Sequence, residues 1–347
     1  MMINHVIFSL VSYLFFVMTQ KLIMKSVLSV QSHVAHGYVG GKAATFPLQC
    51  LGWDVDNINT VNFSNHTGYG FVKGSAISPL DMSALFKGLA DINCKYTAVV
   101  LGYIPSADLI DILAANIKRM RTDNPQLLYV CDPVMGDQGH LYVDESCVEA
   151  YRRLLTAGIV DIITPNQFEL ELLTGSKIDS DLSLREAVAY AHATYNVKHV
   201  VVSSLSGEIS MSSKPDPDSL YCALSSHGDE SITVFRIPVI KSYFTGVGDM
   251  FTALLLDKYY NSCDDMAKAV NQVLTIMSKV LHLTHTLGLQ EYCEYKKIPL
   301  PRHTDSQMVL ESKMNDADSM QFFELRVIQA RDYYGYNGEG NHARFTI

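Results

Sequence analysis

An aspartate stands where an apolar helix opens, in FTGVGDMFTALLL: Asp249 directly follows Gly246, Val247 and Gly248. Glycines just before a helix let consecutive backbone amides converge on one point, and the helix dipole adds positive potential there. Such a nest holds an anion, for example a phosphoryl group in transfer. An aspartate at that spot opposes plain anion binding, yet it suits a base that takes a proton from a hydroxyl attacking phosphorus. Aspartate is also a favoured helix N-cap, and the GxGD pattern alone leaves both readings open. Three more polar patches add chemistry. VCDPVMGD carries Asp132 and Asp137, oxygen donors suited to a hydrated Mg²⁺. DIITPNQFELE carries Thr164, Asn166 and Glu169, with Pro165 ending a strand and Asn166 free to cap the next helix. VNFSNHTGYG supplies Ser64, Asn65, His66 and Thr67 after an apolar strand. Any one of these reads as a turn, but all four patches fall where strands give way to helices.

Two other phosphate signatures fail. In HGYVGGKA, Gly37 stands one residue too close to Gly41 and Lys42 for a P-loop, and Ala43 replaces the required Ser or Thr. GVGDMF lacks the third glycine of a dinucleotide fingerprint and follows no long strand.

The elements that must position these residues alternate from residue 25 onward. KSVLSVQS, WDVDNINTVNF, YTAVVLGY, LLYVCDPV, DIITPN and HVVVSS read as strands. KAATFPLQCLG, SADLIDILAANIKRMR, FELELLTG and DMFTALLLDKYY read as helices. Strands separated by helices of this length predict βαβ units, hence an α/β fold with a mostly parallel sheet covered on both faces and ligands at the strands' carboxyl ends. SGEISMSSKPDPDSLY reads as a loop between two strands, and KKIPLPRHTDSQMVLESKMNDADSM as a segment wrapping the surface. Without a linker or internal repeat, the 347 residues predict a single domain.

Composition agrees. Hydrophobic residues reach 48% and charged ones 18%, enough for a large core. A net charge of -9 argues against nucleic acid as a partner, because no surface would neutralise its phosphates. The seven cysteines form no C-x-x-C pair and suit buried thiols in a reducing compartment. Residues 6–18, VIFSLVSYLFFVM, are an apolar run short for a membrane span and of signal-core length. No Lys or Arg precedes the run, and Lys21 and Lys25 follow it. A start at Met24 gives a tidy first strand, so residues 1–23 are expected to be an extension outside the fold, with a peripheral anchor as the alternative.

Taken in order, SVQSHVAHGYVGGKAATFPLQCLGWDVD, NTVNFSNHTGYG, YVCDPVMGD, DIITPNQFELELLTG, FTGVGDMFTALLL and FFELRVIQARD resemble the eukaryotic pyridoxal kinases of the ribokinase-like superfamily, over about residues 25–332. The resemblance implies a three-layer α/β/α sandwich over residues 24–335 with a C-terminal tail at 336–347. It further implies a cytoplasmic or also nuclear homodimer that transfers the γ-phosphoryl of ATP to the 5′-hydroxyl of vitamin B6 vitamers. It makes Asp249 the base and Gly246, Val247 and Gly248 the anion hole. Ser32, Val39, Val61, Phe63, His66, Thr67 and Tyr103 would surround the pyridine ring, with Tyr142 on a flap. Ser203, Ser204, Asn166 and Thr245 would lie along ATP. Asp137 and Glu169 would serve Mg²⁺, and Asp132 and Thr164 a monovalent cation such as K⁺. Val247 stands where many relatives have threonine, Ser203 replaces a commoner threonine, and the segment after Asp137 is shorter than in some animal members. A hydroxymethylpyrimidine kinase of thiamine synthesis, or a silent relative that binds pyridoxal phosphate, are the alternatives.

Overall fold

The computed structural model describes residues 25–207, 216, 218–240, 242–262, 265–300 and 316–347. The apolar extension, Met24, Cys263, the centre of the SGEISMSSKPDPDSLY loop and residues 301–315 of the second polar segment lie outside the described residues.

Ten strands form the main sheet: β1 (Lys25–Val34), β2 (Trp53–Phe63), β3 (Gly74–Ala76), β4 (Ala98–Leu101), β5 (Leu128–Cys131), β8 (Ile162–Ile163), β9 (His199–Ser206), β10 (Ser219–Ser226), β11 (Thr233–Pro238) and β12 (Arg344–Thr346). Between β5 and β8, the short β6 (Gly136–Asp137) and β7 (His140–Leu141) pair as a separate hairpin. Across the main sheet the order is β12-β11-β10-β9-β8-β5-β4-β1-β2-β3. The pairs from β2 through β1, β4, β5 and β8 to β9 are parallel. Antiparallel pairs finish both edges, and β3, β11 and β12 are strands that periodicity had not marked. β4 and β5 are short, continuous apolar runs because both of their faces are covered.

Side chains alternate across each strand and so feed two cores. Leu28, Val30, Val99, Leu101, Tyr129 and Cys131 enter one core. Five helices close it: α2 (Pro79–Asp91), α3 (Ala107–Asp123), α4 (Ser146–Thr156), α5 (Gln167–Thr174) and α6 (Asp181–Tyr195). Val27, Ala98, Val100 and Val130 enter the other core. There they meet α1 (Gly41–Cys50), α7 (Val247–Asn261) and α8 (Met266–Lys296). This is the expected α/β/α sandwich. Helix α7 is buried along nearly its whole length, which is why its sequence lacks an amphipathic stripe. No helix among the described residues is long and apolar enough to cross a membrane.

The C-terminal segment set apart as a tail instead completes the sheet. Its strand β12 pairs with β11, Ile347 and Ile232 exchange backbone hydrogen bonds of 2.9 Å, and Asn271 on α8 donates to the His342 carbonyl. Exposed β11 backbone is the reason: an edge strand leaves unpaired amides that a neighbouring segment can satisfy.

One ion pair fixes the register at the end of the sheet opposite the candidate site residues. Arg121 on α3 binds Asp161 through two 2.7 Å hydrogen bonds, and Asp161 also accepts the Tyr129 amide of β5 at 2.8 Å. Because Asp161 directly precedes β8 and Tyr129 is the second residue of β5, this clamp sets where both strands begin. Asp161→Ala leaves the Tyr129 amide without its acceptor and the guanidinium with only the Ile159 carbonyl. It is expected to lower stability by about 2–3 kcal/mol, read as a lower urea midpoint at unchanged slope.

Candidate active site

Parallel strands bring their carboxyl ends to one side of the sheet, and the candidate residues leave from those ends. Ser32 lies near the end of β1, Val61 and Phe63 at the end of β2, and Tyr103 just past β4. Asp132 follows β5, Thr164 and Asn166 follow β8, and Ser203 and Ser204 lie in β9.

Asp249 comes from the opposite direction, in the first turn of α7. The N-cap of that helix is Gly246, in the left-handed region at φ 77°, and no side chain caps it. Asp249 is therefore not the cap. Its carboxylate reaches instead to the Gly40 amide, which donates to Oδ2 at 2.7 Å. Bare backbone makes this approach possible. A Cβ on Gly102 would come within 3.2 Å of both Asp249 Oδ1 and the Gln31 side chain. A Cβ on Gly248 would lie 3.2 Å from Asp132 Oδ2, and one on Gly246 would run into the Tyr38 carbonyl oxygen. Burial pushes the Asp249 carboxyl above the usual aspartate range, and the Gly40 amide opposes that rise by favouring the anion.

A group of acids lies beside it. Burial holds Asp132 well above the ordinary carboxylate range, and the neighbouring charges of Glu169 and Asp249 add to this. Burial pushes Glu169 up to about 8, against the backbone amides it accepts. Burial also raises Asp137, with the Gln138 amide opposing. None of these four acids has an ion-pair partner among the described residues. Thr252 links the two strands' residues, its hydroxyl lying 2.8 Å from that of Thr164 and 3.5 Å from Asp132 Oδ2. Glu169 is also a structural hub. It completes a capping box with Asn166 and accepts the Met135 amide at 2.9 Å. The Asn166 side chain caps α5 and donates to the Gly136 carbonyl at 2.8 Å, so the structure engages it in backbone contacts.

On the β1–β2 side, Val39 and Val61 are buried while Phe63 and Tyr103 are half-buried. The Thr60 hydroxyl donates to the Tyr103 carbonyl at 2.7 Å, fixing that turn. Burial raises the Tyr103 phenol. His66 caps a short 3-10 turn (Thr67–Tyr69), its Nδ1 accepting the Gly68 amide at 3.0 Å. Burial pushes His66 down to about 4, so at neutral pH it is an uncharged ring whose Nε2 carries the proton. Thr67 is exposed. The segment expected to form a flap folds as the β6–β7 hairpin. Gln138 and Gly139, at φ 48° and 82°, form its two-residue turn, the positive-φ pair that matches strand twist in a tight hairpin. Tyr142 follows it, half-exposed and in contact with Tyr243.

Along β9, Ser203 donates to the Pro165 carbonyl through both its amide and its hydroxyl. The Thr245 hydroxyl faces Glu324 at 3.5 Å. Glu324 was missed by sequence reasoning. It belongs to the FFELR stretch but carries no motif, and only its burial beside residues 37–40 marks it. Lys42, rejected above as a P-loop lysine, donates to the Ala35 carbonyl at 2.9 Å.

Residues 72–292 match the family model described as phosphomethylpyrimidine kinase, a stretch that leaves out β1, the turn after it and FFELR. The pyridoxal kinase of Arabidopsis thaliana is 42% identical over 267 residues, 74% of this chain and 82% of its own. That of Sus scrofa is 36% identical over 304 residues, 84% and 92% of the two chains. The structure of Leishmania donovani pyridoxal kinase in complex with ADP and pyridoxine is similar with a TM-score of 0.76 at 32% identity, over 93% of this chain and 99% of that one. This near full-length similarity shows that the chain belongs to the pyridoxal kinase family, with the ribokinase-like fold.

Proposed function

We propose that this chain is an ATP-dependent pyridoxal kinase, transferring the γ-phosphoryl group to the 5′-hydroxyl of pyridoxal, pyridoxine or pyridoxamine. The observation that carries this reading is the seat of Asp249, beside an uncapped helix N-terminus and held by one amide. In the reaction, Asp249 takes the hydroxyl proton as that oxygen bonds to the γ-phosphorus. The bond from the γ-phosphorus to the bridging oxygen breaks and ADP leaves. The amides of residues 246–248 meet charge developing on the phosphoryl oxygens, which is where preorganised dipoles act most strongly. Val247 removes a hydroxyl relative to many members but leaves the backbone donors in place.

For the vitamer, Val39, Val61, Phe63 and Tyr103 offer apolar walls, and Ser32, His66 and Thr67 offer a few directional polar groups. That mixture suits a neutral heterocycle. Tyr142 on the flap would cover it. Ser203, Ser204, Asn166 and Thr245 would line the nucleotide. The unpaired acids present only hard oxygen donors, which fits Mg²⁺ and a monovalent cation such as K⁺. Asp137 and Glu169 would serve Mg²⁺, with Glu169 acting through water because its oxygens already accept amides. Asp132 and Thr164 would hold the monovalent ion. When bound, the divalent ion offsets charge on the ATP phosphates.

We infer a homodimer as well, supported by exposed Phe71 before β3 and exposed Leu80, Leu85 and Ile92 along and just past α2. A reducing, cytoplasmic or nuclear setting is supported by the free thiols Cys131, Cys147, Cys222 and Cys293 in the interior. The family-model description favours a second reading, a hydroxymethylpyrimidine kinase. In a competition assay with ATP and Mg²⁺, pyridoxal is expected to be phosphorylated in preference to the pyrimidine alcohol; the reverse preference selects the second reading, and no product with either selects a silent binder.

Asp249→Asn is expected to lower kcat about 10²–10⁴-fold while ATP binding persists, and near-normal turnover excludes the base role. Because burial raises the Asp249 carboxyl, kcat/KM should fall on the acid side at a higher pH than an ordinary aspartate would give. His66→Asn keeps the capping acceptor. In the wild type the unfolded chain takes up the His66 proton first. The contribution of this group to stability is therefore full above pH 6.5 and is lost as pH falls toward about 4. Urea midpoints across that range should lose this acid-side slope in the variant.

A further inference from the structure

The turn at residues 37–40 is gripped at both ends. At one end, the Gly40 amide holds Asp249 and the Tyr38 carbonyl closes on Gly246. At the other stands Glu324, a carboxylate buried in the C-terminal FFELR stretch. It accepts the Tyr38 amide at 2.9 Å and the Tyr69 hydroxyl at 2.8 Å, and the Thr245 hydroxyl lies 3.5 Å away. It also fills the space beside Gly37, where a Cβ would come within 2.5 Å of Oε1 and where φ is +91°.

A buried carboxylate is costly unless its oxygens are satisfied, and apolar packing would stabilise the fold as well or better. Glu324 forms no ion pair among the described residues; its partners are an amide and hydroxyls. Those partners have one thing in common. The Tyr38 amide belongs to the turn that fixes the base, Tyr69 to the turn that His66 caps, and Thr245 to the approach to the anion hole. Glycine at 37 and at 246 lets the turn pack against both neighbours without intervening side chains.

We propose that Glu324 is a positioning residue of the active site, setting the 37–40 turn that holds Asp249 and the 66–70 turn that carries His66 and Thr67. This inference rests on the kinase reading of Asp249. It makes the C-terminal segment part of the active site. Its two short hydrogen bonds go to the turns that carry Val39, His66 and Thr67, against a single 3.5 Å contact to Thr245, so the device acts on the vitamer side of the reaction more than on the nucleotide.

Glu324→Ala is expected to lower kcat/KM for pyridoxal about 10²-fold, the effect of a displacement near 1 Å at reacting groups. Binding of a non-hydrolysable ATP analogue should be unchanged. Glu324→Gln keeps an oxygen for the Tyr38 amide and places an N–H beside the Tyr69 oxygen. It should recover activity to within about tenfold of wild type. Amide hydrogen exchange over residues 36–41 should quicken in the alanine variant and stay near wild type in the glutamine variant. Wild-type pyridoxal kinetics or unchanged exchange in Glu324→Ala, with only a lower melting temperature, overturns the proposal. Should that variant not fold, Tyr69→Phe deletes one hydroxyl and is expected to raise KM for pyridoxal roughly tenfold; a wild-type KM there overturns it equally. A wild-type chain without pyridoxal turnover defeats the kinase reading, and the exchange measurement then decides the pinning by itself.

Discussion

One hydrogen bond organises the site: the Gly40 amide donating to Asp249. A carboxylate in the first turn of a helix commonly turns back to satisfy that helix's own amides. Here it is drawn across to a different segment, and the amides of the α7 N-terminus keep an uncapped end for an incoming anion. The bond also tempers the cost of burying a negative charge, since it favours the ionised form that a base requires. Close backbone contact makes this possible, through glycine at 40, 102, 246 and 248. Each of these positions lacks the Cβ that would separate two of the converging segments.

Electrostatics gives the same site its second constraint. Asp132, Asp137, Glu169 and Asp249 gather at the ends of neighbouring elements, and burial raises every one of them. Such a concentration of acid is unfavourable for stability and is tolerated because the backbone partly offsets it. Glu169 accepts amides from two loops, and Asp249 accepts one. Acids without ion-pair partners among the described residues thus lie beside an uncapped helix end, so groups that favour cations adjoin groups that favour anions.

Polar side chains in this cleft therefore serve shape before chemistry. Asn166 and Glu169 seat the loop between β8 and α5 against the β6 hairpin. His66 seats the turn it caps, and Thr60 seats Tyr103. A loop bearing reacting groups has few apolar contacts to fix it, so reciprocal hydrogen bonds to backbone do that work.

Much of this was legible in the residues themselves. The alternation of short apolar strands with helices announced a parallel sheet, because a strand covered on both faces leaves no polar stripe to disguise it. TPNQFE marked a strand-to-helix junction and FTGVGD a helix start, since glycine, proline and asparagine reshape the backbone locally, whereas CDPVMGD opens the β6–β7 hairpin and SNHTGYG leads through a 3-10 turn into β3. The Asn166–Glu169 capping box lies within four consecutive residues, so sequence spacing suffices to reveal it. Edge strands β3, β11 and β12 were hidden, because pairing with a distant neighbour, and not internal periodicity, makes them strands. That Asp249 does not cap its helix was equally out of reach, as its carboxylate is drawn to an amide 209 residues away. Glu324 shows the limit most plainly. Its partners at 38, 69 and 245 come together only when the C-terminal segment packs over α8, a contact that no local pattern encodes.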